Sequence, residues 1–280
     1  MIVSGSATQT LAAALADVTG ESLAGVEYDR FPDGEGIVRV DSVDDRAIVV
    51  ASTVSDAAHV ELLQLQDAAR EAGASEVTTV LPYMGYARQD EAFEAGEPVS
   101  ARAVARAISS GTDRVLTVNP HEEAVCKYFS VPAETIDAAG RLAAPLPRLS
   151  DPLFLAPDVG AVDLAETVAD AYGRGGVDYF QKTRHSGTEV EIEPNDAAVA
   201  GRDVVLVDDI VATGSTMSES VAVVNAHGAD RVYVTCVHPL LVRDARLKLA
   251  RAGVEAVFGT DTVERPASEV SVAPAVVDAL

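Results

Sequence analysis

Val204-Val205-Leu206-Val207-Asp208-Asp209-Ile210-Val211-Ala212-Thr213-Gly214-Ser215-Thr216 is the most informative segment of this 280-residue chain. Four consecutive apolar residues read as a buried strand, two carboxylates stand at its carboxyl end, and a loop of small residues leads into a helix. Ligands of open α/β sheets bind at that edge, outside the carboxyl ends of the strands. Thr213, Gly214, Ser215 and Thr216 offer backbone N–H groups and hydroxyls at a helix N-terminus, which suits a phosphate. Asp208 and Asp209 can accept hydrogen bonds from sugar hydroxyls. Asp, Ser and Thr are equally at home in a capped strand-to-helix turn, and spacing alone leaves both readings open.

Outward from this segment, short apolar runs alternate with helical patterns. Strands are expected at Ala47–Ala51, Val77–Leu81, Val115–Val118, Leu153–Ala156, Val204–Val207, Val232–Val237 and Val254–Phe258. Helical periodicity lies near 56–72, 98–109, 160–172, 216–227 and 243–252. Such alternation predicts an α/β fold with parallel sheets built from βαβ units. Gly73, Gly111 and Gly228 each open a Gly-x-x-x-Val joint, read as a left-handed helix cap followed by a turn into a strand. The joint occurs in both halves, which predicts two similar domains. Ala138–Pro152, rich in Pro, Ala and Leu without periodicity, marks the expected boundary between domains 1–140 and 141–280. Tyr28–Val40 reads as a hairpin turned by Pro32-Asp33-Gly34.

Composition narrows the function classes. With 21 basic and 44 acidic side chains the formal charge is −23, which argues against sequence-independent nucleic-acid binding. Eighteen of the basic residues are Arg and three are Lys, at 127, 182 and 248. Few lysines beside many carboxylates resembles proteins of salt-accumulating halophiles, where the roughly 3 Å Debye length at 1 M salt screens self-repulsion. Cys126 and Cys236 form no C-x-x-C pattern, so neither a disulfide framework nor a zinc site is expected. No apolar run reaches the ~18 residues of a membrane span, and the first residues lack a charged signal-peptide region. A cytoplasmic protein without a membrane partner is expected.

The 204–216 segment looks like the phosphoribosyl-pyrophosphate loop of the type I phosphoribosyltransferase fold. Ala212 stands where that family has an acidic or small residue, and Ser215 where it often has Gly; backbone donors carry the phosphate contact, so both departures are mild. Five further motifs occur in order: Phe31-Pro32-Asp33-Gly34-Glu35, Pro82-Tyr83-Met84-Gly85-Tyr86-Ala87-Arg88-Gln89-Asp90, Asn119-Pro120-His121-Glu122, Pro157-Asp158-Val159-Gly160 and Lys182-Thr183-Arg184. Together the six resemble the ribose-phosphate diphosphokinase (phosphoribosyl pyrophosphate synthetase) family, from residue 1 to the tail Ser271-Val272-Ala273-Pro274. The run Lys182–Val190 resembles archaeal members.

Chemistry and resemblance then assign roles. Asp33 and Glu35 lie two apart on a segment expected to be extended, so both would face one side; a solvated hairpin tip would look the same. Arg88 offers a planar cation for adenine or phosphate, and Gln89 an amide, although Arg88 and Asp90 could equally form a surface ion pair. The resemblance implies ATP binding by Phe31, Asp33, Gly34, Glu35, Arg88, Gln89 and Asp90. It implies ribose 5-phosphate binding by Arg184, Asp208, Asp209, Ala212, Thr213, Gly214, Ser215 and Thr216. It makes His121 and Asp158 ligands of the Mg²⁺ of Mg-ATP, a cofactor that prefers oxygen and keeps its waters. The family usually has Asp where Asn119 stands.

Lys182 and Arg184 flank Thr183, so on a strand their charges point together; the resemblance makes them catalytic. His185–Val190 would turn into a second strand and form a closing hairpin. The implied reaction transfers the diphosphoryl group of ATP to the 1-hydroxyl of ribose 5-phosphate, releasing AMP, in a homo-oligomer built on dimers. A salvage phosphoribosyltransferase is the alternative enzyme, but it leaves Asp33–Glu35 and Arg88–Asp90 without a role. A non-catalytic relative of the synthetase is the other alternative, and retention of Lys182 with Arg184 speaks against it.

Overall fold

Short apolar runs, buried on both faces at the sheet centres, form two sheets, one all parallel and one with a single antiparallel strand, with amphipathic helices between the strands. The computed structural model describes residues 1–184, 190–195 and 198–280, with side chains described outside 182–184 and 190–193. The chain divides into two units, one of residues 1–137, 261–264 and 271–280, the other of residues 138–260 and 265–270. The first crossing falls at the aperiodic stretch that marked the expected boundary. The expected division at 140/141 is a single cut, whereas the chain returns to the first unit twice near its end.

The first unit contains β1 (Ile2–Ser4), α1 (Gln9–Thr19), β2 (Val26–Arg30), β3 (Gly36–Val40), β4 (Arg46–Val50), α2 (Asp56–Glu71), β5 (Glu76–Leu81), α3 (Ser100–Ile108), β6 (Arg114–Val118) and β7 (Ala133–Ile136). Its sheet runs β1-β4-β5-β6-β7, all parallel. β2 and β3 form a separate antiparallel hairpin. Ser55 caps α2 by accepting from the Ala58 N–H, and Leu62, Leu65 and Ala69 on its inner face pack with Val49, Val77 and Val115.

The second unit contains β8 (Leu153–Ala156), α4 (Val162–Tyr172), β9 (Gly176–Arg184), β10 (Val190–Pro194), β11 (Val204–Ile210), α5 (Ser215–Ala226), β12 (Val232–His238), α6 (Ala245–Ala252), β13 (Ala256–Thr260) and β14 (Ser268–Val270). The last helix, α7 (Ala273–Val277), packs on α1 in the first unit. The sheet order is β10-β9-β8-β11-β12-β13-β14, with only β10 antiparallel. From β8 the chain adds β9 on one side, then β11 on the other. The strand order therefore reverses between β8 and β11, the crevice where open α/β sheets bind ligands. The first unit's main sheet advances in one direction and has no such reversal.

Two details differ from expectation. Gly73 and Gly228 take φ of +125° and +80°, as their joints require, but Gly111 is not among the residues with positive φ. Its need is spatial: a Cβ there would lie 2.7 Å from Gln66 Oε1 and 2.8 Å from Gln66 Cβ. The strand expected at Val254–Phe258 begins at Ala256, because the Val254 N–H still closes α6 onto Leu249.

Candidate functional site

The reversal between β8 and β11 gathers three carboxylates predicted from the sequence. Asp158 follows β8 and caps the short helical turn after it, accepting from the Gly160 N–H at 3.0 Å. Asp208 and Asp209 end β11, and the Asp208 Oδ1 accepts from the Asp209 N–H at 3.0 Å. Burial pushes the Asp208 carboxyl up to about 8, and the neighbouring charges of Asp209 and Asp158 add to the shift. A buried carboxyl crowded by neighbouring carboxylates suits a hard cation, which would relieve the repulsion. Among the described residues no three His, Cys, Asp or Glu side chains form a closed metal cage. That donor chemistry fits Mg²⁺, which keeps several waters and takes one or two carboxylates.

The loop beyond them is shaped by its glycine. Gly214, at φ +72° and ψ 5°, is the N-cap of α5, a left-handed conformation that costs a side-chain-bearing residue about 1–2 kcal/mol. It also lies close to α6: a Cβ would sit 3.2 Å from the Ala245 carbonyl oxygen. Thr213, Ser215 and Thr216 are exposed, and Thr213 Oγ1 donates to Ser215 Oγ at 3.3 Å. The first-turn N–H groups of α5 have no partners within their own helix and carry its positive dipole end. The loop thus offers backbone N–H groups and hydroxyls beside two carboxylates, a donor set that can accept an anion next to hydroxyls or a cation.

Sequence reasoning missed one residue here. Lys248 on α6 reaches Ser215 Oγ at 3.3 Å and the Thr213 carbonyl at 3.4 Å, and pairs with Asp244 at 3.4 Å. The available signal was rarity, because a chain with three lysines keeps this one.

In the first unit the 31–35 segment is the turn expected of the hairpin, so Asp33 and Glu35 do not lie on the extended segment also expected. Gly34 donates to the Phe31 carbonyl at 2.8 Å with φ +95°, and the Glu35 N–H donates to Asp33 Oδ1 at 3.1 Å. Phe31, Asp33, Gly34 and Glu35 are all exposed. The 82–90 motif is fastened through its own backbone and side chains. The Gly85 N–H donates to Thr53 Oγ1 at 2.8 Å, and a Cβ at Gly85 would overlap the Thr53 carbonyl at 2.3 Å. Tyr86, at φ +65°, donates its hydroxyl to Asp56 and lies against the His59 ring, with centroids 5.5 Å apart. Gln89 accepts from the Ser100 hydroxyl at the start of α3. This leaves Arg88 exposed, without an ion pair to Asp90, whose backbone carbonyl accepts from the Tyr128 hydroxyl.

His121 is exposed beyond β6 in the first unit, whereas Asp158 belongs to the second. Asn119 has φ +34°, a conformation Asn tolerates, and its amide donates to Asp137 Oδ1 at 2.8 Å. An Asp at 119 would set two carboxylates face to face, so the departure from the family pattern matches its local partner. β9 and β10 form the expected antiparallel pair, with Lys182 opposite Ile192 and Arg184 opposite Val190. The side chains of Lys182 and Arg184, and the turn expected within 185–189, lie outside the described residues.

Known proteins bear on these observations. Residues 1–111 match the family pattern described as the N-terminal domain of ribose phosphate pyrophosphokinase, and residues 133–265 match the phosphoribosyl transferase domain. A ribose-phosphate pyrophosphokinase of Halobacterium salinarum is 65% identical, with 100% of each chain covered. One of Methanosarcina mazei is 46% identical over 100% of this chain and 94% of its own. The crystal structure of phosphoribosylpyrophosphate synthetase from Mycobacterium smegmatis superposes with a TM-score of 0.82 at 26% identity, covering 100% of this chain and 96% of that one.

Proposed function

The chain belongs to the ribose-phosphate pyrophosphokinase family, and from that premise we propose how its residues carry out the reaction. The enzyme transfers the diphosphoryl group of ATP to the 1-hydroxyl of ribose 5-phosphate, giving 5-phosphoribosyl 1-diphosphate and AMP. The observation that carries the assignment is the small-residue loop at the N-terminus of α5, joined to a carboxylate pair where the strand order reverses.

Ala212–Thr216 hold the 5-phosphate through backbone N–H groups and hydroxyls. Asp208 and Asp209 accept hydrogen bonds from the ribose hydroxyls and so orient the 1-hydroxyl for in-line attack on the β-phosphorus. Phe31, Asp33, Gly34, Glu35, Arg88, Gln89 and Asp90 bind ATP; exposed Arg88 is available to stack on adenine or pair with phosphate. Asp158 and His121 are the proposed protein ligands of Mg²⁺, with Asp208 and Asp209 near Asp158. When bound, Mg²⁺ neutralises triphosphate oxygens. Lys182 and Arg184 place positive charge on the reacting phosphates, and Arg184 also contributes to ribose 5-phosphate binding. Phosphoryl-type transfer gains most of its rate from such positioning and charge stabilisation.

The enzyme works in the cytoplasm as a homo-oligomer built on dimers, with neither nucleic acid nor membrane as partner. No helix among the described residues is long and apolar enough to cross a membrane. AMP release from ATP and ribose 5-phosphate in molar KCl tests the function. Lys182→Ala is expected to cut turnover by orders of magnitude while ribose 5-phosphate still binds. Near-normal AMP release by that variant overturns the role of Lys182. Base-dependent loss of phosphoribosyl pyrophosphate, without AMP formation, would instead identify a salvage enzyme.

A further inference from the structure

We propose that Lys248 is a binding residue for the 5-phosphate of ribose 5-phosphate, supplying the cation that the phosphate loop lacks. The inference rests on the assignment of that loop to ribose 5-phosphate. From Val204 to Met217 the segment contains two carboxylates and no Lys, Arg or His. A phosphate dianion entering there approaches Asp208 and Asp209, and within the segment itself only backbone dipoles offset that acidity. The basic residue nearest in sequence is Arg202, at the opposite end of β11, and its guanidinium is held by the carbonyls of Asp151 and Pro152.

Packing brings Lys248 to the place where a cation is needed. Gly214 lets the backbone of α6 approach, with Ala245 against it. Lys248 is three residues further along α6, so it shares that helix face. Its ammonium lies 3.3 Å from Ser215 Oγ and 3.4 Å from the Thr213 carbonyl. These contacts are long for hydrogen bonds, and the Asp244 pair is an i,i+4 surface pair, worth only a few tenths of a kcal/mol. None of them saturates a three-donor ammonium, which can turn to a phosphate oxygen at little cost. Its side chain is 35% exposed, so it contacts both solvent and the loop. Retaining one of three lysines at this position has a chemical reason: a compact, mobile ammonium can follow a phosphate group as it enters.

Two variants, Lys248→Met and Lys248→Arg, test this in molar KCl. Ribose 5-phosphate binding is read first without turnover, as a ligand-induced rise in melting temperature, and then as KM for each substrate. Wild type must show the ribose 5-phosphate shift; its absence overturns the loop assignment itself and the inference with it. Lys248→Met is expected to raise KM for ribose 5-phosphate roughly ten- to a hundredfold, the equivalent of one charge-assisted hydrogen bond. KM for ATP and kcat should remain near wild type, and Lys248→Arg should recover most of the affinity. Unchanged ribose 5-phosphate affinity in Lys248→Met, in an enzyme that binds the sugar normally, overturns the inference. Equal losses toward both substrates together with a lowered melting temperature overturn it too, by assigning Lys248 to loop folding.

Discussion

Gly214→Ala separates the two constraints on the phosphate loop, and the molecule contains its own control. Gly20, the C-cap of α1, has φ +73° and ψ 6°, while Gly214 has φ +72° and ψ 5°. A Cβ at Gly20 would meet nothing within 4 Å, whereas one at Gly214 would lie 3.2 Å from the Ala245 carbonyl oxygen and 3.4 Å from its Cα and Cβ. Gly20→Ala therefore isolates the dihedral cost, about 1–2 kcal/mol. Gly214→Ala adds a steric cost of about 1 kcal/mol or more, since α6 must give way. For a chain of this size each kcal/mol lowers the melting temperature by roughly 2–4 °C, so Gly214→Ala should melt a few degrees below Gly20→Ala. Whatever part of the strain the loop relieves by moving should raise KM for ribose 5-phosphate, about tenfold for 1.4 kcal/mol, with KM for ATP unchanged. Gly20→Ala should leave both KM values alone. Thermal melts and initial rates in molar KCl measure the melting temperature and both KM values of each variant. If the two variants are indistinguishable in melting temperature and in KM, the close approach of α6 does not shape the loop.

At the other end of β11, Asp203 has a fully buried side chain and accepts two bonds from Arg231, at 2.8 and 2.6 Å, and one from the Ser150 N–H at 2.5 Å. Asp203→Ala should cost roughly 2–4 kcal/mol, because it orphans that N–H and strands a half-hydrated guanidinium. Hydrogen bonding to Arg231 holds the Asp203 carboxyl below its usual range. Its stabilisation is therefore full above the unfolded value near pH 4 and lost as pH falls through the lower folded value. The gap between wild type and variant in urea titrations should shrink in acid, and a gap constant down to pH 2 would refute the ion-pair account. Dilution from molar to 0.1 M KCl lengthens the Debye length from about 3 to about 10 Å. With a charge of −23, melting temperature and turnover should both fall, and full activity in dilute buffer would overturn the salt-adapted reading.

Much of this organisation was legible because its signals are local and dense. β8, the first four residues of β11 and all of β12 are buried on both faces, and such nearly continuous apolar runs leave few alternatives. α2, α4 and α5 follow helical periodicity over 11 to 16 residues. β1 and β14 escaped notice because three residues carry no period. β7 is an edge strand of four residues, with two exposed side chains in its middle. At the site, the loop declared itself through composition. The position of Lys248 depended on where Gly214 lets α6 lie, a tertiary fact with no local pattern. The hairpin turn was legible in Pro32-Asp33-Gly34; only the extended course of Asp33–Glu35 was misjudged, because Asp33 Oδ1 takes the Glu35 N–H and curls the chain.

The return of residues 261–264 and 271–280 to the first unit has a consequence for biosynthesis. α1 (Gln9–Thr19) is made well before its packing partner α7 (Ala273–Val277). The Thr262 carbonyl that accepts from Ser52 and the Asp261 carboxylate that takes the Val272 N–H are equally late. On a ribosome adding about 5–20 residues per second, the amino-terminal half must wait, incompletely covered, through synthesis of everything after it. A stop codon anywhere from 261 to 280 would therefore damage a unit most of which was translated long before.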